Sequence, residues 1–261
     1  MTRRGAAGLF AAVAVVAARA VLADERAVYR AAGPDAGLFD HYDNDGYSLA
    51  VSPRSDGSLE LSVRVSGGPL ESRAPFPPEG LRDAALAASP ERDVFARALA
   101  GGAATQAEAV ERVLSGVASA VRYDPDRHRR QDPASVFSSR RAHCVGISEL
   151  AVDLLRRVAI PARTVQGILR SKPGSDGYDA RIGGVYHRWI EIYYPDRGFV
   201  FSDPSSSINA VDARYVPFGR RALERPRDLT VIAVEASGRL DFPVRRLPEA
   251  TLRVRPAGGS R

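Results

Sequence analysis

Two amphipathic helices stand out in the pattern of apolar and polar positions along the chain. Thr105 is followed three residues later by Glu108, the spacing of a capping box, and apolar residues then recur every three or four positions. This pattern predicts a helix of about four turns that ends near Tyr123. A second apolar stripe with the same spacing predicts a helix from about Val145 to Val158.

Alternation with a period of two predicts strands in two parts of the chain. Residues 47–52 and 59–66 alternate on either side of a polar turn, which predicts a β-hairpin. Residues 67–80 are rich in proline and glycine and predict a linker or a long loop, whereas residues 84–100 have helical spacing. Further strands are predicted at 162–168, 185–194, 199–203 and 229–234.

The N-terminus has the layout of a secretory signal peptide. Arg3 and Arg4 precede an apolar run at 8–18, and residues 21–23 (VLA) then lead to a small-residue cleavage site before Asp24. An uncleaved membrane anchor is the alternative, but the run is short for a membrane span and Arg19 interrupts its end. Cleavage after Ala23 predicts a secreted or periplasmic protein with no membrane span in the mature chain.

The net charge does not indicate a nucleic-acid partner. The formal charge of +6 comes from 37 basic and 31 acidic residues, and removal of the three arginines of the signal segment leaves 34 minus 31, or +3. Arginines are interleaved with acidic residues, and no basic stripe alternates with aromatic residues as it does in nucleic-acid grooves. We therefore exclude nucleic acid as a partner.

The chain has a single cysteine, Cys144, at the start of the second predicted helix. It cannot form an internal disulfide. Unpaired amides and the positive end of the helix dipole favour a thiolate at this position. The alternative is a buried cysteine that serves as a small hydrophobic residue. Because the thiolate is the form that attacks a carbonyl carbon, the position favours a nucleophile.

A base and its acceptor are available on two predicted strands. His187 lies near the start of the first strand, and Asp203 ends the next one, sixteen residues later. If the turn PDRG between them closes a hairpin, the two side chains come within about two residue pairs of each other. His143 precedes Cys144, but adjacent residues point in different directions, so we interpret His143 as structural.

Two segments carry a family resemblance. CVGISELAVDLLRRVAIPARTVQGI and VYHRWIEIYYPDRGFVFSDPSS resemble the core of the transglutaminase-like superfamily, and the similar region spans about residues 123–207. In that family a cysteine is the nucleophile, a histidine is its base and an aspartate orients the histidine. The resemblance implies these roles for Cys144, His187 and Asp203.

The resemblance also implies a fold and a division of the chain. It predicts an α+β, papain-like core in which the nucleophile helix packs on an antiparallel sheet. Ala142 and Phe199 stand where the family commonly has glycine and tryptophan, and these differences concern the shape of the substrate groove. The predicted parts are a signal peptide at 1–23, an N-terminal β-containing region of unclear role at 24–100, a transglutaminase-like catalytic domain at 101–240 and a C-terminal tail at 241–261.

The predicted function is that of an exported cysteine amidase or peptidase. It would act on carboxamide or peptide bonds through a thioester and needs no cofactor. The backbone N–H of Cys144 and one upstream donor, Tyr123 or Gln131, are the candidates for an oxyanion hole. Trp189 would either cover the site or serve as a core aromatic residue.

Three alternatives remain open at this stage. A protein-glutamine transglutaminase would pass the acyl group to an amine, and a catalytically silent module would keep the fold for binding or scaffolding. A metal site built on Cys144, His143 and His187 lacks paired ligand spacing. Cell-envelope peptides, exported proteins and small amides all fit as substrates of the predicted hydrolase.

Overall fold

The computed structural model describes residues 24–66, 70–76, 86–220 and 226–237. The predicted signal segment, the predicted C-terminal tail and parts of the predicted loop and helix between 67 and 85 lie outside the described residues. Within the described ranges, no helix has the length and apolar character that crossing a membrane requires.

Helices and strands alternate through the described residues. The helices are α1 (Pro90–Ala100), α2 (Gln106–Ala120), α3 (Pro133–Ser139) and α4 (Cys144–Arg157), and a 3-10 turn covers Pro34–Leu38. The strands are β1 (Glu25–Ala32), β2 (Tyr42–Asn44), β3 (Tyr47–Pro53), β4 (Leu59–Val65), β5 (Arg122–Tyr123), β6 (Arg141–Ala142), β7 (Ala162–Arg170), β8 (Gly184–Tyr194), β9 (Gly198–Ser202), β10 (Tyr215–Pro217) and β11 (Thr230–Ser237).

The strands form two antiparallel sheets and one short parallel pair. The five-stranded sheet has the order β11-β1-β4-β3-β2, and the four-stranded sheet has the order β10-β7-β8-β9. The pair β5-β6 is parallel and links the end of α2 to the residues just before α4. The predicted hairpin of β3 and β4 and the predicted hairpin of β8 and β9 are both confirmed.

The four-stranded sheet is the middle layer of the molecule. Trp189 and Phe201 on one of its faces share a core with the five-stranded sheet. Ile190 and Ile192 on the other face share a second core with the helices, and α4 contacts both β7 and β8. The predicted α+β class, with the helix of Cys144 packed on an antiparallel sheet, is confirmed.

The two predicted amphipathic helices are present as α2 and α4, the first of them ends earlier than predicted, and the helix predicted at 84–100 begins only at Pro90. The side chain of Thr105 accepts the N–H of Glu108, which confirms it as the N-cap. The helix ends at Ala120 rather than near Tyr123, because Arg122–Tyr123 pairs with the strand before α4 and the N–H of Asp124 donates to the carbonyl of Ala142. This pairing brings Tyr123 next to the start of α4.

A buried carboxylate links the two sheets. Glu191 on β8 is fully buried. It accepts a hydrogen bond of 2.7 Å from the hydroxyl of Tyr42 on β2, and it forms an ion pair with Arg163 on β7. The N-terminal sheet is therefore joined to the middle sheet by polar contacts as well as by the shared core.

Candidate active site

The start of α4 is held by side chains that accept its backbone N–H groups. His143 is the N-cap, and its Nδ1 accepts the N–H of Val145 at 3.3 Å. The side-chain oxygen of Gln131 accepts the N–H groups of His143 and Gly146, both at 3.2 Å. These bonds satisfy donors that a helix leaves free in its first turn, and they fix the position of Cys144.

Gly146 makes room for this arrangement. A Cβ atom at this position would lie 2.5 Å from Oε1 of Gln131 and 2.8 Å from Cγ2 of Val136. We expect Gly146→Ala to lower the free energy of unfolding by about 1–3 kcal/mol, measured by urea denaturation, because the added methyl group must displace the Gln131 cap.

Gly37→Ala is the matched control, since a Cβ atom at Gly37 would contact nothing within 4 Å. Alanine is normally the better helix former, so a Gly146→Ala variant as stable as the wild type would show that the cap is not tightly packed.

Three contacts dock the first turns of α4 on β8 at Arg188. The hydroxyl of Ser148 donates to the carbonyl oxygen of Arg188 at 3.0 Å. The guanidinium of Arg188 pairs with Glu149 at 2.8 Å, and its backbone N–H faces the sulfur of Cys144 and helps to lower the pKa of the thiol. Cys144 is thereby placed beside His187, the neighbour of Arg188 in β8.

Cys144, His187 and Asp203 lie next to one another. Cys144 and His187 line the same cavity, and each side chain shifts the pKa of the other. Nε2 of His187 lies 2.7 Å from Oδ2 of Asp203, which leaves Nδ1 for the sulfur. The side chain of Asp203 is fully buried and that of His187 is 9% exposed. The structure therefore brings the three predicted residues together.

Asp203 also accepts hydrogen bonds from residues outside the predicted set. Its Oδ1 accepts from the backbone N–H of Ser205 at 2.9 Å and from the hydroxyl of Ser205 at 2.6 Å. Its Oδ2 accepts from the hydroxyl of Tyr215 at 2.8 Å in addition to the bond with His187. Both carboxylate oxygens are thus satisfied although the group is buried.

The ionisation of the three groups is coupled. Burial raises the pKa of the Cys144 thiol, but hydrogen bonds from His143 and His187 more than offset this and bring the pKa from 9.0 to about 6. Burial lowers the pKa of His187, but Asp203 and Cys144 raise it to about 9. Burial raises the pKa of Asp203, and the bonds from His187 and Ser205 bring it below its ordinary value. Between about pH 6 and 9, the favoured state is a thiolate beside an imidazolium.

The sulfur opens into a cavity of about 320 Å³. Cys144 is partly exposed there. His143 and His187 line the cavity near the sulfur, and Val185, Tyr186 and Phe218 give it an apolar wall. A volume of this size is within the usual range for a pocket that binds a small ligand or one side chain of a peptide.

Tyr123, Gln131 and Trp189 occupy three different environments. Tyr123 lines the cavity, and its hydroxyl donates to Asp176 at 3.1 Å. Gln131 is not among the lining residues, and its amide nitrogen donates to the carbonyl of Arg129. Of the two upstream donors that the sequence suggested, only Tyr123 therefore has its side chain in the cavity.

Trp189 lies under the imidazole rather than over the cavity. Its indole is fully buried in the core between the two sheets. It stacks on His187 with ring centroids 6.1 Å apart and an interplanar angle of 19°. A Cβ atom at Gly167, which is the partner of His187 in β7, would lie 2.6 Å from the indole. The indole therefore supports one face of the imidazole from the core side.

The sequence reasoning missed the acceptor role of Gln131 and the donor roles of Ser205 and Tyr215. The DPSS run at residues 203–206 was a usable signal, because a serine two residues after an aspartate commonly donates to it in an Asx turn. The sequence around Gln131 and Tyr215 carried no comparable signal, because each residue contacts partners that only the fold brings close. Across the described part of the chain, no cluster of three or more His, Cys, Asp or Glu side chains is arranged to hold a metal ion.

Comparison with protein families gives a match to the Transglutaminase-like superfamily core over residues 93–204. This match contains Cys144 and His187 and confirms the resemblance seen in the sequence. The chain is also 31% identical over 77 residues to the uncharacterized protein YebA of Bacillus subtilis. The similar region covers 27% of this chain and only 10% of YebA, so the chain corresponds to a small part of that relative.

Among solved structures, a proposed cysteine protease from Cytophaga hutchinsonii is similar with a TM-score of 0.46 and 12% identity, covering 85% of this chain and 91% of that one. The periplasmic domain of TgpA from Pseudomonas aeruginosa is similar with a TM-score of 0.36 and 16% identity, covering 70% of this chain and 87% of that one.

Proposed function

We propose that this chain is a cysteine-dependent amidase or peptidase of the transglutaminase-like superfamily, whose model matches residues 93–204. The observation that supports this proposal most directly is the placement of Cys144 beside His187 at a cavity, with Nε2 of His187 bonded to Asp203 at 2.7 Å. The three groups match the nucleophile, base and orienting acceptor that acyl transfer needs.

In the first step, the Cys144 thiolate attacks the carbonyl carbon of an amide and a C–S bond forms. The carbonyl π electrons move to oxygen and give a tetrahedral oxyanion. When this intermediate collapses, the C–N bond breaks and His187 transfers its proton to the departing amine. A thioester on Cys144 and a neutral imidazole remain, and Asp203 keeps the ring oriented throughout.

The oxyanion would be stabilised at the start of α4. The backbone N–H of Cys144 is in the first turn, where an α-helix provides no acceptor for it. In this proposal the second donor is the hydroxyl of Tyr123 on the cavity wall, which would turn its proton from Asp176 to the oxyanion when that charge develops. Burial and the charge of Asp176 raise the pKa of Tyr123 to about 12, so this hydroxyl keeps its proton in the working range.

In the second step, His187 takes a proton from water, and the resulting hydroxide attacks the thioester. The C–S bond breaks, an acid is released and the thiolate is regenerated. We propose water rather than an amine as the acceptor because Cys144 is partly exposed at its cavity. The N-terminal segment supports export, so peptides and proteins of the cell envelope are the proposed substrates.

The first test uses the reactivity of the thiol and requires no substrate. We expect iodoacetamide to alkylate Cys144 with a half-maximal rate near pH 6, because the thiol loses its proton as the pH rises through that value. His187→Ala should move the midpoint towards the ordinary value of 9.0 and slow alkylation at pH 6 by about a hundredfold or more, measured by intact-protein mass spectrometry.

His128→Ala is the matched control, since His128 is an exposed loop residue outside the cavity lining. A wild-type midpoint near 9, unaffected by His187→Ala, would instead indicate a catalytically silent binding module. Hydrolysis itself should rise with pH through about 6 and fall through about 9, where the imidazolium loses the proton needed by the departing amine.

A further inference from the structure

Tyr215 shares the catalytic acceptor with His187. Its hydroxyl donates to Oδ2 of Asp203 at 2.8 Å, the same oxygen that lies 2.7 Å from Nε2 of His187. The tyrosine is 2% exposed, and its ring packs edge-on against both His187 and Trp189, with centroids 6.0 and 5.3 Å away. Tyr215 therefore contacts the acceptor and the base directly, from the side of the core.

The backbone of β10 at Tyr215 is held by the five-stranded sheet. The hydroxyl of Tyr47 on β3 donates to the carbonyl oxygen of Tyr215 at 2.6 Å. Two residues earlier, the carbonyl of Ala213 accepts from the hydroxyl of Tyr29 on β1, and its N–H donates to Glu25 at 3.2 Å. All three side chains from the N-terminal sheet are buried, at 5% exposure or less.

We propose that Tyr215 is a positioning residue of the active site and that the N-terminal sheet sets its place through Tyr47. This inference rests on the proposed function, because it assumes that Asp203 orients a catalytic imidazole. It assigns a role to residues 24–66, whose contribution the sequence left unclear. Their sheet holds the backbone of β10 in place. Strand β10 in turn places the Tyr215 hydroxyl, which orients the carboxylate of Asp203.

The physical reason is that the two oxygens of the Asp203 carboxylate have different hydrogen-bond partners. Ser205 holds Oδ1, so Oδ2 is the oxygen available to the imidazolium. With Tyr215 as a second donor, Oδ2 is anchored in the direction of His187 whether or not the imidazole is charged. Burial and the charge of Asp203 raise the pKa of Tyr215 far above its ordinary value, so the hydroxyl remains a donor throughout the working pH range.

Among the described residues, the titratable groups that act on His187 and Tyr215 besides Asp203 are Cys144 on α4 and Asp212 in the turn before β10. Asp212 is neutralised by an ion pair of 2.6 Å with Arg214. Removal of the Tyr215 hydroxyl therefore changes the support of Asp203 without exposing another unpaired charge.

The test is the pH dependence of Cys144 alkylation by iodoacetamide in the full chain. Without the Tyr215 hydroxyl, the carboxylate is free to turn towards Ser205, the imidazolium loses part of its stabilisation, and the thiolate loses its partner in turn. For Tyr215→Phe we expect the midpoint to rise by about one pH unit, so that alkylation at pH 6 is about fivefold slower. Tyr47→Phe should move the midpoint in the same direction by a smaller amount.

Tyr194→Phe is the matched control. Tyr194 is a fully buried tyrosine of the same sheet whose hydroxyl donates to Asn209 at 2.8 Å, and within the described residues its side chain makes no hydrogen bond to Asp203 or His187. It should lose a similar amount of stability in thermal unfolding and keep the wild-type midpoint. This comparison separates a positioning role from a contribution to folding alone.

The outcomes of this test distinguish the positioning role of Tyr215 from the proposed hydrolase activity. If the wild type has a midpoint near 6 and Tyr215→Phe behaves as Tyr194→Phe does, or shifts the midpoint downwards, the positioning role is wrong and the proposed hydrolase stands. If the wild-type thiol titrates near its ordinary value, the proposed function itself fails. If Tyr215→Phe does not fold, the Tyr47→Phe variant provides the test. An unchanged midpoint of Cys144 alkylation in folded Tyr47→Phe would overturn the link to the N-terminal sheet.

Discussion

Cys144→Ser is expected to reduce the hydrolysis of any peptide amide cleaved by the wild type by at least about 10⁴-fold in kcat. The substitution keeps the size of the side chain but replaces a thiol of pKa about 6 with a hydroxyl that His187 cannot hold ionised in the ground state. Because the wild-type thiol is already ionised before the substrate binds, the loss should be in kcat, with KM little changed.

The measurement is the release of amine from a peptide substrate, with thermal unfolding as the control for the fold. Cys144 is only partly buried, so its unfolding midpoint should stay close to that of the wild type. Activity within about tenfold of the wild type in the serine variant would exclude Cys144 as the nucleophile.

Arg157→Ala is expected to have the largest effect on stability, a loss of about 3–5 kcal/mol in the free energy of unfolding. The side chain of Arg157 is fully buried at the end of α4. It makes two bonds to Asp153, one to Asp93 at the start of α1 and one to the carbonyl of Ala87. Alanine would remove a charged partner from two nearly buried carboxylates, Asp93 and Asp153, of which Asp153 keeps its ion pair with Arg92.

Urea denaturation measures this loss, and Arg130→Ala is the matched control. Arg130 is also paired with an aspartate, Asp132, at 3.0 Å, but its side chain is 81% exposed, so water replaces the lost partner and the change should be much smaller. Equal effects of the two variants would show that the buried network contributes no more than an exposed ion pair.

The three central residues of the site could be predicted because each has a local signature. Cys144 begins a strongly patterned helix, and His187 and Asp203 lie on two strands joined by a short turn. The register could not be predicted from the turn alone. In the structure Ile190 pairs with Ser202, which places Asp203 two residue pairs from His187 and agrees with the expected offset.

The surroundings of the site could not be predicted because they depend on contacts between distant parts of the chain. Strand β1 pairs with β11 across about two hundred residues, and no local alternation shows which strands become neighbours. Tyr215 belongs to a strand of three residues, which is too short to produce a pattern. Gln131 was predicted as an oxyanion donor only because its side chain carries an amide N–H group. In the structure, its amide oxygen instead accepts the N–H of Gly146.

The middle position of the four-stranded sheet has a consequence for truncated versions of the protein. Residues 93–204, the part that matches the family, supply the helices and β7, β8 and β9 but neither β10 nor any strand of the five-stranded sheet. A fragment with those limits would expose Trp189 and Phe201 to water and leave β7 as an unpaired edge strand. Both features promote aggregation. Expression work on this domain should therefore retain the flanking strands on both sides.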